Sequence, residues 1–430
     1  MRAVTDPMDA LADEIVEGRC VAFVGAGFSA AVCRQWGDLL AAVAADVRDE
    51  SARAHVEALV ATGTARSFEM AAQLLEDAFK NQPTNDLLRA LRTHTRRHHV
   101  SAEEEARMSR RRTLLTEMPF AAILTTNFDD ELRGEVLDGS TYASLLRDSG
   151  ARWVEKRFWD PQSRVLKLHG DLRRGTGVTL SRRGYRTRLY AEPGYLHALR
   201  SVLLTKTVLF LGFSFTDEYL NELRSEVLAY LAPEGNTPRY AYALLKDVPE
   251  AMRAHFRDHE AMHVFDYAKE DRADHGGFDD FLAALHAKTN PAAIMGRRLA
   301  QKRILWVDPS TDRNARGRDY LAEATRGLCT IDLSPTPDAA LATLAEESAS
   351  YDLVITRWGH HPRRPSDAAA LIEEMRRHDV RVPVVVFASG DHAEENREAA
   401  LRLGALEYTS RWDALFAVID RRFADPSAAR

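Results

Sequence analysis

The sequence predicts an α/β protein: a Rossmann-type parallel sheet carrying a helical insertion, followed by a smaller doubly wound α/β domain. Three observations predict it. Short apolar, strand-like runs alternate with amphipathic helical stretches, the pattern of a mostly parallel sheet. Four of those runs end in small or polar residues: Val21-Ala-Phe-Val-Gly25-Ala-Gly27-Phe-Ser29, Ile123-Leu-Thr-Thr-Asn127-Phe-Asp129-Asp130, Val165-Leu-Lys-Leu-His169-Gly170-Asp171 and Val208-Leu-Phe-Leu-Gly212-Phe-Ser214-Phe. In an open α/β sheet such strand ends meet at one crevice, where nucleotides bind. At 430 residues the chain is also long enough for two or three domains.

The elements follow in order. Residues 8–19 read as an amphipathic helix leading into a strand at Val21–Val24, with the next helix expected to begin near Phe28–Ser29. From about 38 to 118 the pattern is helical and charged, as in Phe68-Glu-Met-Ala-Ala-Gln-Leu-Leu, and reads as a helical insertion. Strands return at Ala121–Thr125 and Val165–Leu168, with a strand or turn at Val178–Leu180. A helix at Pro193–Leu204, strands at Val208–Leu211, Arg239–Leu245 and His263–Asp266, and a helix at Phe278–His286 complete a domain over 1–288. Residues 289–301 read as a linker to a second domain over 302–430. Its strands are expected at Ile304–Val307, Cys329–Ile331, Leu353–Thr356, Val384–Phe387 and Glu407–Thr409. Helices at about 314–326, 337–348, 367–379, 393–403 and 412–423 fit between and after them.

Composition excludes several classes. The net charge of −6 argues against a surface built for non-specific nucleic-acid binding, though a local basic patch is compatible with it. No basic-then-apolar amino terminus marks a signal peptide, and the longest apolar run, Val202 to Phe215, is broken by Lys206 and too short to span a bilayer. A cytoplasmic protein without membrane attachment is expected. The cysteines Cys20, Cys33 and Cys329 form no C-x-x-C pair, so neither a cysteine zinc site, nor another metal site, nor a disulfide scaffold is expected.

Gly25-Ala-Gly27-Phe-Ser29-Ala30 fits G-x-G-x-x-G/A at a strand-to-helix turn. Its glycines permit close backbone approach, and a helix amino end attracts pyrophosphate. The acid that binds ribose in an ordinary nicotinamide dehydrogenase would be Asp46 or Asp49, but both fall in a helical stretch rather than after a second strand. Hydride transfer therefore fits poorly.

Taken together, the four motifs resemble the sirtuin superfamily, and more closely its bacterial sirtuin-like branch, whose members hydrolyse NAD in antiphage defence. The first motif resembles the family's Gly-Ala-Gly-x-Ser turn, and Thr125-Thr126-Asn127-Phe128-Asp129 resembles its Thr-Gln-Asn-Ile-Asp. His169-Gly170 matches the catalytic His-Gly; Gly212-Phe213-Ser214 resembles a Gly-x-Ser turn, with Asp217 following. The resemblance covers roughly residues 10–288. It implies a sirtuin-like Rossmann-type fold, NAD as substrate, and Gly25, Ala26, Gly27, Phe28, Ser29, Thr126, Asp129, Gly212, Phe213 and Ser214 as its contacts. Deacylating sirtuins carry a four-cysteine zinc module and a glutamine where this chain has Thr126, so zinc is not expected and a protein deacylase is disfavoured. Homo-oligomers, a partner protein or a phage-derived trigger are implied by the resemblance alone.

The residues themselves suit glycosidic cleavage. Breaking the nicotinamide–ribose bond generates an oxocarbenium-like centre. The neutral amide of Asn127 can orient water or a ribose hydroxyl without adding charge, and the imidazole of His169 can act as general base. Ser29 and Ser214 are expected to donate to phosphate or ribose, aided by the N–H groups of Ala26, Gly27 and Phe213. Asp129 is read either as a ribose or Asn127 ligand or, with Asp130, as a cap of a helix over Asp130–Val136. Asp171 and Asp217 are read as structural. The basic stretch Arg92-Thr-His-Thr-Arg-Arg-His-His reads as a solvated helix face.

Residues 302–424 resemble a response-regulator receiver domain, in the runs Ile304-Leu-Trp-Val-Asp308-Pro309, Tyr351-Asp-Leu-Val-Ile-Thr-Arg357, Val382-Pro-Val-Val-Val-Phe-Ala388-Ser389 and Gly404-Ala-Leu-Glu-Tyr-Thr-Ser-Arg411. The phosphoacceptor position holds Arg357, the second acid is Pro309 and the lysine position is Arg411, so the likeness is to a degenerate domain without phosphorylation. Asp308 alone is a poor magnesium site. Arg357 and Arg411, with the loop Trp358-Gly-His-His-Pro-Arg-Arg-Pro, form either a solvated basic loop on a scaffold or a docking site for an anion, nucleotide, nucleic acid or protein. The expected function is that of an NAD glycohydrolase releasing nicotinamide and ADP-ribose on a trigger; the alternative is a non-catalytic NAD or nucleotide sensor.

Overall fold

The computed structural model describes residues 6–82, 86–137, 165–175, 177–190, 192–215, 218–231, 241–267, 276–309, 315–325, 327, 329–347, 350–359, 366–388 and 393–424. The chain divides into two compact units, one ending at Thr289 and the other continuing from Asn290.

In the first unit α1 (Pro7–Val16), capped by the Asp6 carboxylate accepting from the Met8 N–H, feeds β1 (Cys20–Val24). The helical insertion comprises α2 (Trp36–Ala44), α3 (Glu50–Thr62), α4 (Ala65–Lys80), α5 (Leu87–Thr95) and α6 (Ala102–Glu117). Its boundaries are set locally: Asp49 caps α3, Gly63 at φ 70° ends it, and Thr64 and Ser101 form capping boxes on α4 and α6. There follow β2 (Ile123–Thr125), β3 (Glu135–Val136), β4 (Val165–Lys167), α7 (Arg182–Tyr190), α8 (Pro193–Thr205), β5 (Thr207–Leu211), α9 (Glu218–Leu231), β6 (Ala241–Lys246), α10 (Glu250–His259), β7 (Met262–Tyr267) and α11 (Gly276–Thr289).

The sheet order is β3-β4-β2-β1-β5-β6-β7, with every neighbouring pair parallel. Without the short edge strand β3 this is the doubly wound Rossmann order, whose direction reverses between β1 and β5. The central strands are covered on both faces, so they read as apolar runs. Cys20, Ala22 and Val24 join the core under α1, α6 and α11, whereas Val21 and Phe23 join the one under α8 and α9. The insertion builds its own core from Leu39, Leu40, Val43, Leu75 and Phe79, which also takes in Leu172 and Leu180.

In the second unit come α12 (Pro291–Leu299), β8 (Arg303–Val307), α13 (Ala315–Ala324), β9 (Thr330–Ser334), α14 (Pro337–Glu347), β10 (Leu353–Thr356), α15 (Asp367–Arg377), β11 (Val384–Phe387), α16 (Ala393–Arg402), β12 (Glu407–Thr409) and α17 (Trp412–Ala424). The sheet runs β12-β11-β10-β8-β9, all parallel, the flavodoxin-like doubly wound order. Trp306, 1% exposed, anchors one side of it against Phe387 and Trp412.

Four local expectations are corrected. The chain after β1 makes a 3₁₀ turn at Ala26–Phe28 rather than a helix, and the next helix waits until Trp36. No helix spans Asp130–Val136: a Cβ on Gly134 would lie 2.3 Å from the Val165 carbonyl oxygen, and this close approach lays the chain on β4 as the edge strand β3. Val178–Leu180 is irregular. The expected linker 289–301 is largely α12, because Pro291 is tolerated in a first turn and Met295 and Leu299 bury in the core with Ile304 and Trp306.

Arg111 of α6 joins three parts of the first unit. It is 2% exposed, pairs with Asp279 of α11, lies 4.7 Å from the centre of the Phe278 ring and donates to the Phe28 carbonyl at 3.2 Å. Arg111→Met leaves Asp279 only its 3.7 Å contact with Arg107 and removes the donor to the Phe28 carbonyl, and is expected to cost about 3 kcal/mol in urea denaturation, with Arg111→Met/Asp279→Asn recovering part of it. A loss under about 0.5 kcal/mol, ordinary for a surface change, would contradict this role.

Candidate active site

Strand register brings the four motifs together. Val24 of β1 is paired with Leu211 of β5 and with Thr125 of β2, and Thr125 with Lys167 of β4. The four strands therefore end on one line, at the point where strand order reverses.

Two turns nest there. The Gly25 N–H donates to the Leu211 carbonyl at 3.0 Å and the Gly27 N–H to the Gly212 carbonyl at 2.9 Å. A Cβ on Gly25 would lie 2.6 Å from the Gly212 oxygen, and one on Gly212, which sits at φ 60°, would lie 2.3 Å from the Phe28 nitrogen. Only glycine allows this backbone approach. It also corrects an expectation: the Gly27 amide, expected to face phosphate, is committed to Gly212.

The loop after β2 is fastened to the first turn. The Asn127 N–H donates to Thr125 Oγ1 at 3.1 Å, and Asn127 Nδ2 donates to the Gly25 carbonyl at 3.1 Å and to Ser29 Oγ at 3.3 Å. Asn127 Oδ1 takes no bond from the described residues and remains an acceptor. Ser29 Oγ donates in turn to Asp129 Oδ2 at 2.6 Å, while the Glu131 N–H donates to Asp129 Oδ1 at 3.1 Å. Ser29, Asn127 and Asp129 are all buried. Burial pushes the Asp129 carboxyl above its usual range, against the opposing pull of the Ser29 and Glu131 hydrogen bonds and the Lys167 charge.

His169 follows β4, its carbonyl accepting from the Thr179 N–H at 3.0 Å. Gly170 sits at φ 90°, and a Cβ there would meet the Gly177 carbonyl carbon at 2.3 Å, which explains the glycine after the histidine. The buried imidazole stands edge-on to Tyr185, whose hydroxyl lies 2.7 Å from Nε2, and 6.0 Å from the Phe128 ring. Tyr185 stacks on Tyr219 at 5.2 Å.

A cleft of about 370 Å³ receives these groups. Gly25, Ala26, Gly27, Ser29, Thr126, Asn127, Asp129, His169, Gly212, Phe213 and Ser214 all line it. Phe28 does not: the 3₁₀ turn sends its ring, fully buried, against Phe278. Asp171 accepts from the Arg173 N–H at 2.9 Å, and Asp217 lies outside the described residues. Neither candidate ribose acid is available to the cleft, since Asp46 meets His94 at 3.1 Å and Asp49 caps α3. A larger cavity of about 990 Å³ shares Cys33, Thr95, Phe128 and Asp129 with the cleft and presents Arg92, Arg96, Arg112, Arg133 and Arg173. It contains neither Asn127 nor His169, so the smaller cleft is the candidate site.

Sequence reading missed Trp36, Tyr185 and Lys167. Lys167 carried a signal, a charge inside the apolar run Val165-Leu-Lys-Leu; Tyr185 and Trp36 arrive by tertiary contacts. The basic stretch 92–99 is largely solvent-exposed, as expected, although only its residues up to Thr95 are helical and several of its side chains also hold neighbouring segments. Arg92 donates to the Leu172 carbonyl, Arg97 to that of Ala31, and Arg96 pairs with Glu105.

Among the described residues no three His, Cys, Asp or Glu side chains gather at metal-binding range, and Cys20, Cys33 and Cys329 are free and buried. No described helix is long and apolar enough to cross a membrane. In the second unit Arg357 pairs with Asp367 at 3.0 Å, and residues 360–365 and Ser389 lie outside the described residues.

These features place a cleft at the switch point of a Rossmann-order sheet, and a family model described as a SIR2-like domain matches residues 121–265. The match includes Asn127, His169 and Gly212–Ser214 but not the first glycine turn. Among named proteins the chain is similar to the NAD(+) hydrolase ThsA of Enterococcus faecium, 28% identical over 142 residues, 32% of this chain and 28% of that protein. It is similar also to the NAD(+) hydrolase ThsA of Bacillus cereus strain MSX-D12, 29% identical over 146 residues, 33% of this chain and 30% of that protein. The matched stretch thus spans about three tenths of these relatives' length. A solved response regulator receiver domain protein from Clostridium thermocellum is matched at 18% identity over 29% of this chain and 94% of that chain, with a TM-score of 0.24; the doubly wound assignment of the second unit stands on its strand order alone.

Because burial raises the Asp129 pKa, the folded chain holds that proton more tightly than the unfolded chain. The stabilisation is full below the ordinary carboxylate value of about 3.9 and is lost as pH rises through the raised value. Asp129→Asn, which cannot ionise, should therefore gain stability relative to the parent chain as pH rises above about 4 in urea titrations. A difference that does not change with pH would contradict the burial argument.

Proposed function

We propose that the first unit hydrolyses NAD at the nicotinamide–ribose bond, releasing nicotinamide and ADP-ribose. The observation that carries this reading is the convergence of the nested glycine turns, the Asn127 carboxamide and the His169 imidazole on one cleft, with Asp46 and Asp49 engaged elsewhere. The named NAD(+) hydrolases at 28–29% identity support it.

The chemistry follows from the side chains. As the C–N bond breaks, its electron pair leaves with neutral nicotinamide and positive charge develops on the ribose. Asn127, with Nδ2 held on the Gly25 carbonyl, presents Oδ1 as an acceptor for water or a ribose hydroxyl and adds no charge of its own. Water then bonds to the ribose carbon, and His169 takes the proton released. Ser29, Ser214 and the amides of Ala26 and Phe213 are the proposed phosphate and ribose donors.

In the same proposal the enzyme is a cytoplasmic, homo-oligomeric, triggered effector that depletes NAD in antiphage defence. Unrestrained NAD loss would kill the cell, so restraint is required, and the second unit, with Arg357 and Arg411 at its strand ends, is the proposed sensor or docking domain. Nicotinamide release by purified protein, with and without candidate partners, tests the reading. Asn127→Ala and His169→Ala should each lower release by about 10²–10⁴-fold. Turnover that survives both substitutions would overturn the assignment, whereas NAD binding without turnover under every condition would support the sensor reading.

A further inference from the structure

Lys167 is one of the largest fully buried side chains, 1% exposed on β4, the strand next to the edge strand β3. A buried ammonium is costly unless its charge and hydrogens are matched. Its Nζ donates to the Asp129 carbonyl at 2.7 Å, in the loop that presents Asn127. The same atom lies 3.9 Å from Asp171 Oδ1, and Asp171, 3% exposed at the side chain, is two residues beyond His169. One cation thus grips both loops that carry the proposed chemistry.

The two loops also meet where the Leu168 N–H donates to the Thr125 carbonyl at 2.8 Å and where the Phe128 ring lies 6.0 Å from the imidazole. The first is fastened to the glycine turn through Asn127 and Ser29, the second to residues 177–179 through the His169 carbonyl and Gly170. Lys167 adds a buried charged link between these two anchorages. An aliphatic residue, which the surrounding apolar run would accommodate, would bury as well but could hold neither carbonyl nor carboxylate.

We infer that Lys167 is the positioning residue that sets Asn127 against His169, its ammonium tying the Asp129 carbonyl to the Asp171 carboxylate. The inference rests on the hydrolase reading for its kinetic consequence, but the tie itself is independent of that reading. Displacement of reacting groups by about 1 Å costs on the order of 10²-fold in rate. The glycine turns, which are proposed to bind the dinucleotide, lie outside the tie.

Lys167→Met keeps the aliphatic stem and removes the ammonium. It is expected to lower kcat for nicotinamide release by about 10²-fold while changing KM by less than about threefold. Asp171→Asn cuts the same tie from the other end. It should lower kcat by about tenfold alone and add almost nothing to Lys167→Met, because the two act as a unit. A purely structural role would instead give additive losses that follow thermal stability. Amide hydrogen exchange supplies a readout apart from activity: peptides spanning 126–131 and 168–172 should exchange faster together in both variants. A folded Lys167→Met protein with parental kcat overturns the inference, as does unchanged exchange in either loop. Should Lys167→Met fail to fold, Asp171→Asn carries both measurements. Parental protein that turns over no NAD overturns the hydrolase reading instead, and the exchange result still decides the tie.

Discussion

The structure of the first unit depends on one contact, the nesting of the turn after β1 into the turn after β5. Five in-register pairs from Cys20–Thr207 to Val24–Leu211 bring the two chains to the same edge, and there the backbone of Gly25 and Gly27 packs on that of Gly212 without an intervening side chain. The proposed substrate-contacting groups of the first two loops are referred to this contact. Asn127 hangs on the Gly25 carbonyl, Ser29 closes the 3₁₀ turn and reaches Asp129, and Arg111 grips the Phe28 carbonyl from behind. A side chain at Gly25 or Gly212 would not simply block a pocket; it would part the strands' ends and displace the carboxamide.

The same contact explains the helical insertion. Here the turn is a single 3₁₀ step, and the chain then runs beside residues 95–97, where the Arg34 N–H donates to the Thr95 carbonyl and the Arg97 N–H to that of Val32. The insertion therefore walls the cleft rather than decorating the sheet. Trp36 at the start of α2 stands 5.7 Å from Phe128, and Leu172 and Leu180, which flank the His169 loop, bury in the insertion's own core.

Much of this was legible in the sequence, for a physical reason. Parallel strands covered on both faces must be apolar throughout, so β1, β5, β8, β10 and β11 announced themselves as runs, and function sits at their carboxyl ends, where the runs stop. Illegible features depended on partners distant in the chain. Leu132 and Val136 are spaced for a helix, yet the approach of Gly134 to Val165 makes an edge strand. Phe28 belongs to a nucleotide-type motif, yet a three-residue turn faces its ring into the core. Residues 289–301 carry proline, asparagine and glycine, but their apolar side chains find Trp306 and Leu415. Tyr185 gave no signal, because its contact with His169 exists only once α7 folds back over β4.

Charge, finally, is rationed around the cleft. Asp129 is so deeply buried that its carboxyl resists ionisation, and the bonds from Ser29 and Glu131 and the Lys167 charge pull the other way. In the proposed reaction a cation grows on the ribose, and a fully charged, unshielded carboxylate beside it would stabilise the product of bond breaking but would also bind cations in the empty site. Burial disfavours the charged form of Asp129, and the neutral carboxamide of Asn127 beside it adds no charge. Lys167 is what makes the arrangement consistent: one buried positive charge, facing Asp171 and the Asp129 carbonyl, offsets the acids on both loops while remaining off the cleft wall. Its replacement by an apolar residue would therefore change two things at once, the spacing of the loops and the ionisation of Asp129, and both would act on the same step.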